Sequence, residues 1–179
     1  ARDAAKLLDG EFLCLDVEEY AIAYGDELCR QATALVRSVH PAVVLTHGPQ
    51  DPTPDMEQTG RIVRQACLAA PVQRYATNGA FGPHEPTPRI PHLYYFDPVE
   101  LIDAFGKHVE AGIVVDVAAT FEMKAKVLAH HAQPTAGGGQ DGALTRMIDE
   151  ARVWAAQRGN EVGCALGEGF RQHLGPAFP

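Results

Sequence analysis

Residues Glu11 to Thr46, EFLCLDVEEYAIAYGDELCRQATALVRSVHPAVVLT, carry the pattern that decides the fold. The compact apolar run Phe12, Leu13, Cys14 and Leu15 predicts a short strand over Glu11–Val17. From Gly25 to Val39, Leu28, Leu35, Val36 and Val39 recur at helical spacing, and Asp26 stands near the start where an acidic side chain favours a helix. Pro41 stops that helix. Ala42–Thr46 is β-branched and wholly apolar up to its last residue, which suits a parallel strand buried on both faces. Strand, helix, strand is the βαβ pattern, with a right-handed crossover. The expected class is α/β.

Working outward toward the start, ARDAAKLLDG reads as the end of a helix closed at Gly10. It shows neither an initiator Met nor a charged-then-apolar signal pattern. A domain opening in mid-helix is expected to have an upstream part outside this sequence.

Toward the other end, HGPQDPTPDM is a polar, Pro-rich loop at the carboxyl end of a strand, the place where open α/β sheets bind ligands. A second helix is expected over Met56–Ala70, with Ile62, Val63, Ala66, Cys67 and Ala70 as its apolar stripe and Asp55 as its N-cap. Pro71–Pro91 is a long loop rich in Gly, Pro and Asn, of the kind that is usually functional. HLYYF (92–96) and IVVDV (113–117) read as strands, and within the first Tyr94 and Tyr95 face opposite layers. Helices are expected over Ala119–Gln133 and Asp141–Arg158, with a short terminal one at Val162–Leu174.

Composition narrows the classes. The chain has 179 residues, 46% of them apolar and 21% charged, enough for one α/β domain with a sizeable core. No apolar run approaches the ~18 residues of a membrane helix. With Lys+Arg 15 against Asp+Glu 23 and a net charge of −8, the surface repels phosphate backbones, so neither nucleic acid nor membrane is an expected partner. The four cysteines, Cys14, Cys29, Cys67 and Cys164, include no C-x-x-C pair, and Cys14 and Cys29 fall in core-like patterns. Free thiols in a cytoplasmic protein are the expectation.

His47, Asp51 and Asp55 share the loop after Ala42–Thr46, and His92 and Asp97 bracket the next strand. Imidazole and carboxylate donors suit zinc or a similar divalent cation, but the spacing matches no compact zinc signature. The plainer reading makes Asp55 a helix cap, Asp51 a turn former and His47 a partner of loop backbone. Asp116 is equally a cap for the following helix, His84 an exposed loop residue, and Trp154 and Met147 core side chains.

Thr46–Pro71, THGPQDPTPDMEQTGRIVRQACLAAP, resembles the second metal-site motif of the PIG-L/LmbE family of zinc-dependent N-deacetylases, where a loop ending in Asp-His opens a helix. IPHLYYFDPVE (90–100), IVVDVAATFEMKAKVLAHHAQ (113–133) and GCALGEGFRQHLG (163–175) are similar to the family's later blocks, in the same order. The resemblance implies a Rossmann-like, three-layer α/β/α fold with a mostly parallel sheet, of which residues 1–179 are the C-terminal two-thirds and the first strand is missing. It also implies a metal-dependent hydrolase cleaving an amide or N-acetyl group of a small polar substrate. The cofactor would be zinc or another divalent metal if the upstream His-Pro-Asp-Asp motif exists in the whole protein, and otherwise none.

Met56 stands where the family has a ligand histidine, and a thioether is a poor donor to zinc beside oxygen ligands. Asp55 lies beside that lost ligand and, with His47, is a catalytic candidate. Asp51, His92, Asp97, Lys124 and His131 are substrate-binding candidates. Lys124 and His131, seven apart, could share one helix face. The alternative is a metal-free member that binds a small molecule or runs non-hydrolytic chemistry. Relatives commonly oligomerise, which leaves a homo-oligomer open.

Overall fold

The computed structural model describes residues 1–77, 79, 81–130 and 140–179, the last range by backbone alone at 140 and 141. Strands β1 (Val43–Thr46), β2 (His92–Phe96), β3 (Ile113–Asp116) and β4 (Gly167–Gln172) form a sheet in the order β1-β2-β4-β3. The helices are α1 (Arg2–Leu7), α2 (Asp26–Val39), α3 (Pro54–Ala69), α4 (Phe121–Ala129) and α5 (Gln140–Val162). The class is α/β, as the sequence predicts, and the sheet is mixed. β1 and β2 run parallel with Thr46 opposite Tyr95, while β2 and β4 run antiparallel with Tyr95 opposite Arg171.

Two predicted elements do not form as expected. Glu11–Val17 is not a strand: Leu13 and Cys14 are exposed, and Leu15 packs instead onto the α2–α3 layer. An apolar run becomes a strand only beside a partner strand, and among the described residues no strand pairs with this run. The βαβ unit is therefore one step later in the chain, β1-α3-β2. Likewise Val162–Leu174 is not a helix. Gly163, at φ +81°, ends α5, and Gly167–Gln172 continues as β4 on the edge of β2. Pairing with a strand far away in sequence outweighs local propensity.

The chain forms two compact units, Leu15–Ile113 with Phe170–Pro179, and Ala1–Cys14 with Val114–Gly169. In the first, α2 packs along α3 through Cys29, Ala32, Val36, Ile62, Ala66 and Ala70. Most of the predicted α3 stripe is buried, whereas Val39 at the end of α2 is 56% exposed. His40 turns left-handed there (φ 50°) and ends the helix at Val39. On the other side α3 covers β1 and β2 through Cys67, Leu93 and Tyr95. Each large apolar side chain so buried contributes about 1.5–3 kcal/mol. β1 is covered on that face alone: Val43 and Leu45, alternating with Val44 and Thr46, are 52% and 54% exposed, contrary to the strand buried on both sides that was expected. Tyr95 is buried and Tyr94 half-buried, so the two do face opposite layers.

The loop that follows α3 rests on α2. The buried Arg37 donates to the carbonyls of Ala70 (2.9 Å) and Val72 (2.7 Å), and Arg30 donates to Ala76 (2.7 Å) while covering the Tyr75 ring. Thr87 returns to the same point, its N–H donating to the Ala70 carbonyl at 3.1 Å.

In the second unit Phe121 of α4 packs on Ala151 and Ala155 of α5, and Arg152 lies over the Phe121 ring. Met147 and Trp154, expected as core, are only half-buried and are not among the side chains packed on this cluster. Arg158 is 1% exposed and its guanidinium meets both oxygens of Glu161 at 3.0 Å. α4 is described as far as Ala129, and the predicted continuation through His131 and Gln133 lies outside the described residues.

Candidate functional site

The carboxyl end of β1 is shaped by how closely α3 approaches it. Gly60 faces the His47 carbonyl so tightly that a Cβ there would collide with it, and the Gly48 carbonyl lies alongside. The helix can come this near only because Gly60 has no side chain. The loop between β1 and α3 is thereby drawn in, and its polar groups become partly buried.

Asp51, 5% exposed, folds that loop. Its N–H donates to the Gly48 carbonyl (3.3 Å), and its Oδ1 accepts the Thr53 N–H (3.0 Å) in an Asx turn that leads into α3. Asp51 is thus the turn former that the plainer reading expected. Its Oδ2 lies 3.9 Å from His47 Nδ1, within charge interaction but beyond a hydrogen bond. His47 Nδ1 is buried and has no hydrogen-bond partner, so His47 is not bonded to loop backbone through that atom. The ring stands edge-on to Phe96 at 4.6 Å. Burial pushes the imidazole below its ordinary value, and Asp51 offsets this only in part. His47 is a neutral imidazole with a ring nitrogen to spare, the state in which histidine exchanges protons near neutral pH.

The N-cap of α3 is Thr53, with Pro54 at the first helical position, so Asp55 is not the cap that was expected. Asp55 lies inside the first turn and its Oδ2 accepts the Tyr20 N–H at 2.6 Å, tying the 15–24 strap to α3. Met56 follows, half-buried.

Asp97, half-buried, directly follows β2 at the same end of the strands as His47. His92 does not join them. It pairs in register with Val43 at the opposite end of the parallel pair, about 13 Å from Phe96 at the usual rise per residue, and its Nδ1 meets Gln172 at 3.4 Å. Period and spacing placed both residues beside one strand; only its direction separates them. Lys124 belongs to the other unit and pairs with Glu168 at 2.6 Å. Asp116 closes an Asx turn onto the Ala118 N–H (2.9 Å), and His84 is exposed. His131 lies outside the described residues.

Sequence reasoning missed Arg171. On β4, which was read as helix, it extends toward β1, with Nη2 2.9 Å from where a Cβ on Gly48 would stand. No local signal marks it, because it reaches the site through a long-range strand pairing.

Neither a protein-family profile nor a curated protein matches the sequence. Solved structures do resemble the fold. The 4-carboxy-2-hydroxymuconate hydratase GalB from Pseudomonas putida superposes with a TM-score of 0.70 at 17% identity, covering 99% of this chain and 70% of that one. The N,N'-diacetylchitobiose deacetylase of Pyrococcus horikoshii gives 0.73 at 19%, covering 98% and 64%. The conserved protein TT1542 of Thermus thermophilus gives 0.75 at 18%, covering 96% and 70%. The chain thus shares the α/β fold of these proteins and spans about two-thirds of their length.

The described residues do not make a zinc site. Among them no three His, Cys, Asp or Glu side chains converge to hold a metal ion. Asp55 is engaged by the Tyr20 backbone, and the Met56 sulfur is a neutral, soft donor that suits zinc poorly beside oxygen ligands. Among the described residues no helix is long and apolar enough to cross a membrane.

Proposed function

We propose that this chain is the larger part of a PIG-L/LmbE-like hydrolase or lyase that acts on a small polar substrate at the carboxyl ends of β1 and β2, and that the reaction is cleavage of an amide or N-acetyl bond. The observation that carries the reading is His47, neutral, with a buried and unpartnered ring nitrogen, at the strand end where α/β folds bind ligands. The fold likeness to a deacetylase and a hydratase, and the ordered sequence blocks, support the class. His47 moves the proton, Asp51 opposes desolvation of its charged form, and Phe96 holds the ring. A metal, if the whole protein uses one, needs at least one donor from outside the described residues.

Met56, and the lack of a converging donor set among the described residues, favour a second reading, a metal-free member that binds a small molecule. Metal analysis and an acetate-release assay on N-acetylated amino sugars, with wild type and Met56→His, separate the two. Stoichiometric metal and acetate release by the wild type support the hydrolase. Metal in Met56→His alone, with no release by the wild type, removes the hydrolase reading.

A further inference from the structure

Beside the His47 turn, two cations face one phenol. Thr46, Tyr95 and Arg171 are register neighbours on β1, β2 and β4, so their side chains share the sheet face that α3 covers. Tyr95 is 6% exposed, and its hydroxyl meets His173 Nδ1 at 3.0 Å. Arg64, one helical turn beyond Gly60, and Arg171 both act on the same hydroxyl electrostatically, each favouring its ionised form. Arg171 Nη2 also lies against Gly48, which brings its guanidinium to the turn that follows His47.

Among the described residues no ion pair involves Arg64 or Arg171. No acidic residue stands three or four positions from Arg64 on α3 either, where helical pairing would occur. His173, the third basic group, is held neutral by burial and by Arg64. Two guanidinium groups held near one hydroxyl repel each other, in a chain whose net charge is −8 and which has carboxylates to spare. One further group points the same way: the Thr46 hydroxyl, on a residue 3% exposed, is buried without a partner in the same row. Guanidinium groups that converge without a carboxylate partner are what a bound oxyanion satisfies, because planar guanidinium groups bind carboxylate and phosphate oxygens in pairs.

We propose that Arg64, Arg171 and the Tyr95 hydroxyl form a binding site for the oxyanion group, carboxylate or phosphate, of a small soluble ligand. Arg64 is exposed and forms the mouth, and Arg171 is half-buried and forms the floor. The site stands independently of the hydrolase reading, since it requires neither a metal nor a reaction.

The test is calorimetric titration of the whole chain at low salt with inorganic phosphate and, separately, with malonate, using wild type, Arg171→Gln, Arg64→Gln and Tyr95→Phe. Saturable binding of at least one probe is expected, weakened roughly tenfold or more by either arginine substitution and less by Tyr95→Phe. Binding of phosphate alone identifies a phosphorylated ligand, and binding of malonate alone a carboxylate. Should Arg171→Gln fail to fold, the surface substitution Arg64→Gln decides. Absence of saturable binding by both probes, or binding that Arg64→Gln leaves unchanged, overturns the proposal.

Discussion

Gly60 of α3 packs directly against the main-chain carbonyl of His47, with no room for even a methyl group between helix and strand end. That approach buries the β1–α3 loop and the His47 ring nitrogen with it.

Gly60→Ala is expected to destabilise the protein by about 1–3 kcal/mol, although alanine is the better helix former, because the added carbon meets backbone that cannot move aside. Gly48→Ala is the control. Its Cβ would meet only the far end of the Arg171 side chain, and the loss is expected to stay under about 1 kcal/mol. Urea midpoints at constant slope measure both.

Arg37→Met should cost about 1–3 kcal/mol, since it removes the charged donor from the Ala70 and Val72 carbonyls and leaves them only the Thr87 and Tyr75 N–H groups. The consequence is local as well. Amide exchange at Thr87, which donates to Ala70, should quicken in this variant more than exchange in the middle of α2.

Acid should weaken the fold through two histidines. His47 and His173 both lie below the ordinary 6.5, in each case chiefly through burial. Their unfolded forms bind protons first, so the stability they contribute is complete above pH 6.5 and is lost as pH falls from there toward the lower folded values. Replacing both with Gln should flatten stability across that window in a denaturation series. An undiminished slope would place the acid sensitivity elsewhere.

The cysteines should differ in thiol labelling. Cys67 is 0% exposed and its thiol is pushed up to about 12 by burial, and Cys29 is also buried and raised. At neutral pH the exposed Cys14 should label in the native protein, while Cys29 and Cys67 react only on unfolding.

The sequence by itself determined the α/β class, helices α2 and α3, strands β1 and β2, and the Asp51 turn. In each of these the cause is local: an apolar repeat at period 3.6, a β-branched run, a proline, or a carboxylate two residues before the N–H that it accepts. Tertiary structure alone decided the rest. Whether EFLCLDV or GEGFRQ becomes a strand depends on a neighbouring strand distant in sequence, and composition does not reveal which run finds one. The same holds for the site. His47 and Asp97 fall at the same strand end and His92 is left at the far end because two strands run parallel, and Arg171 arrives only through β4. Backbone pairing across long separations fixes which side chains meet, and no local spacing encodes it.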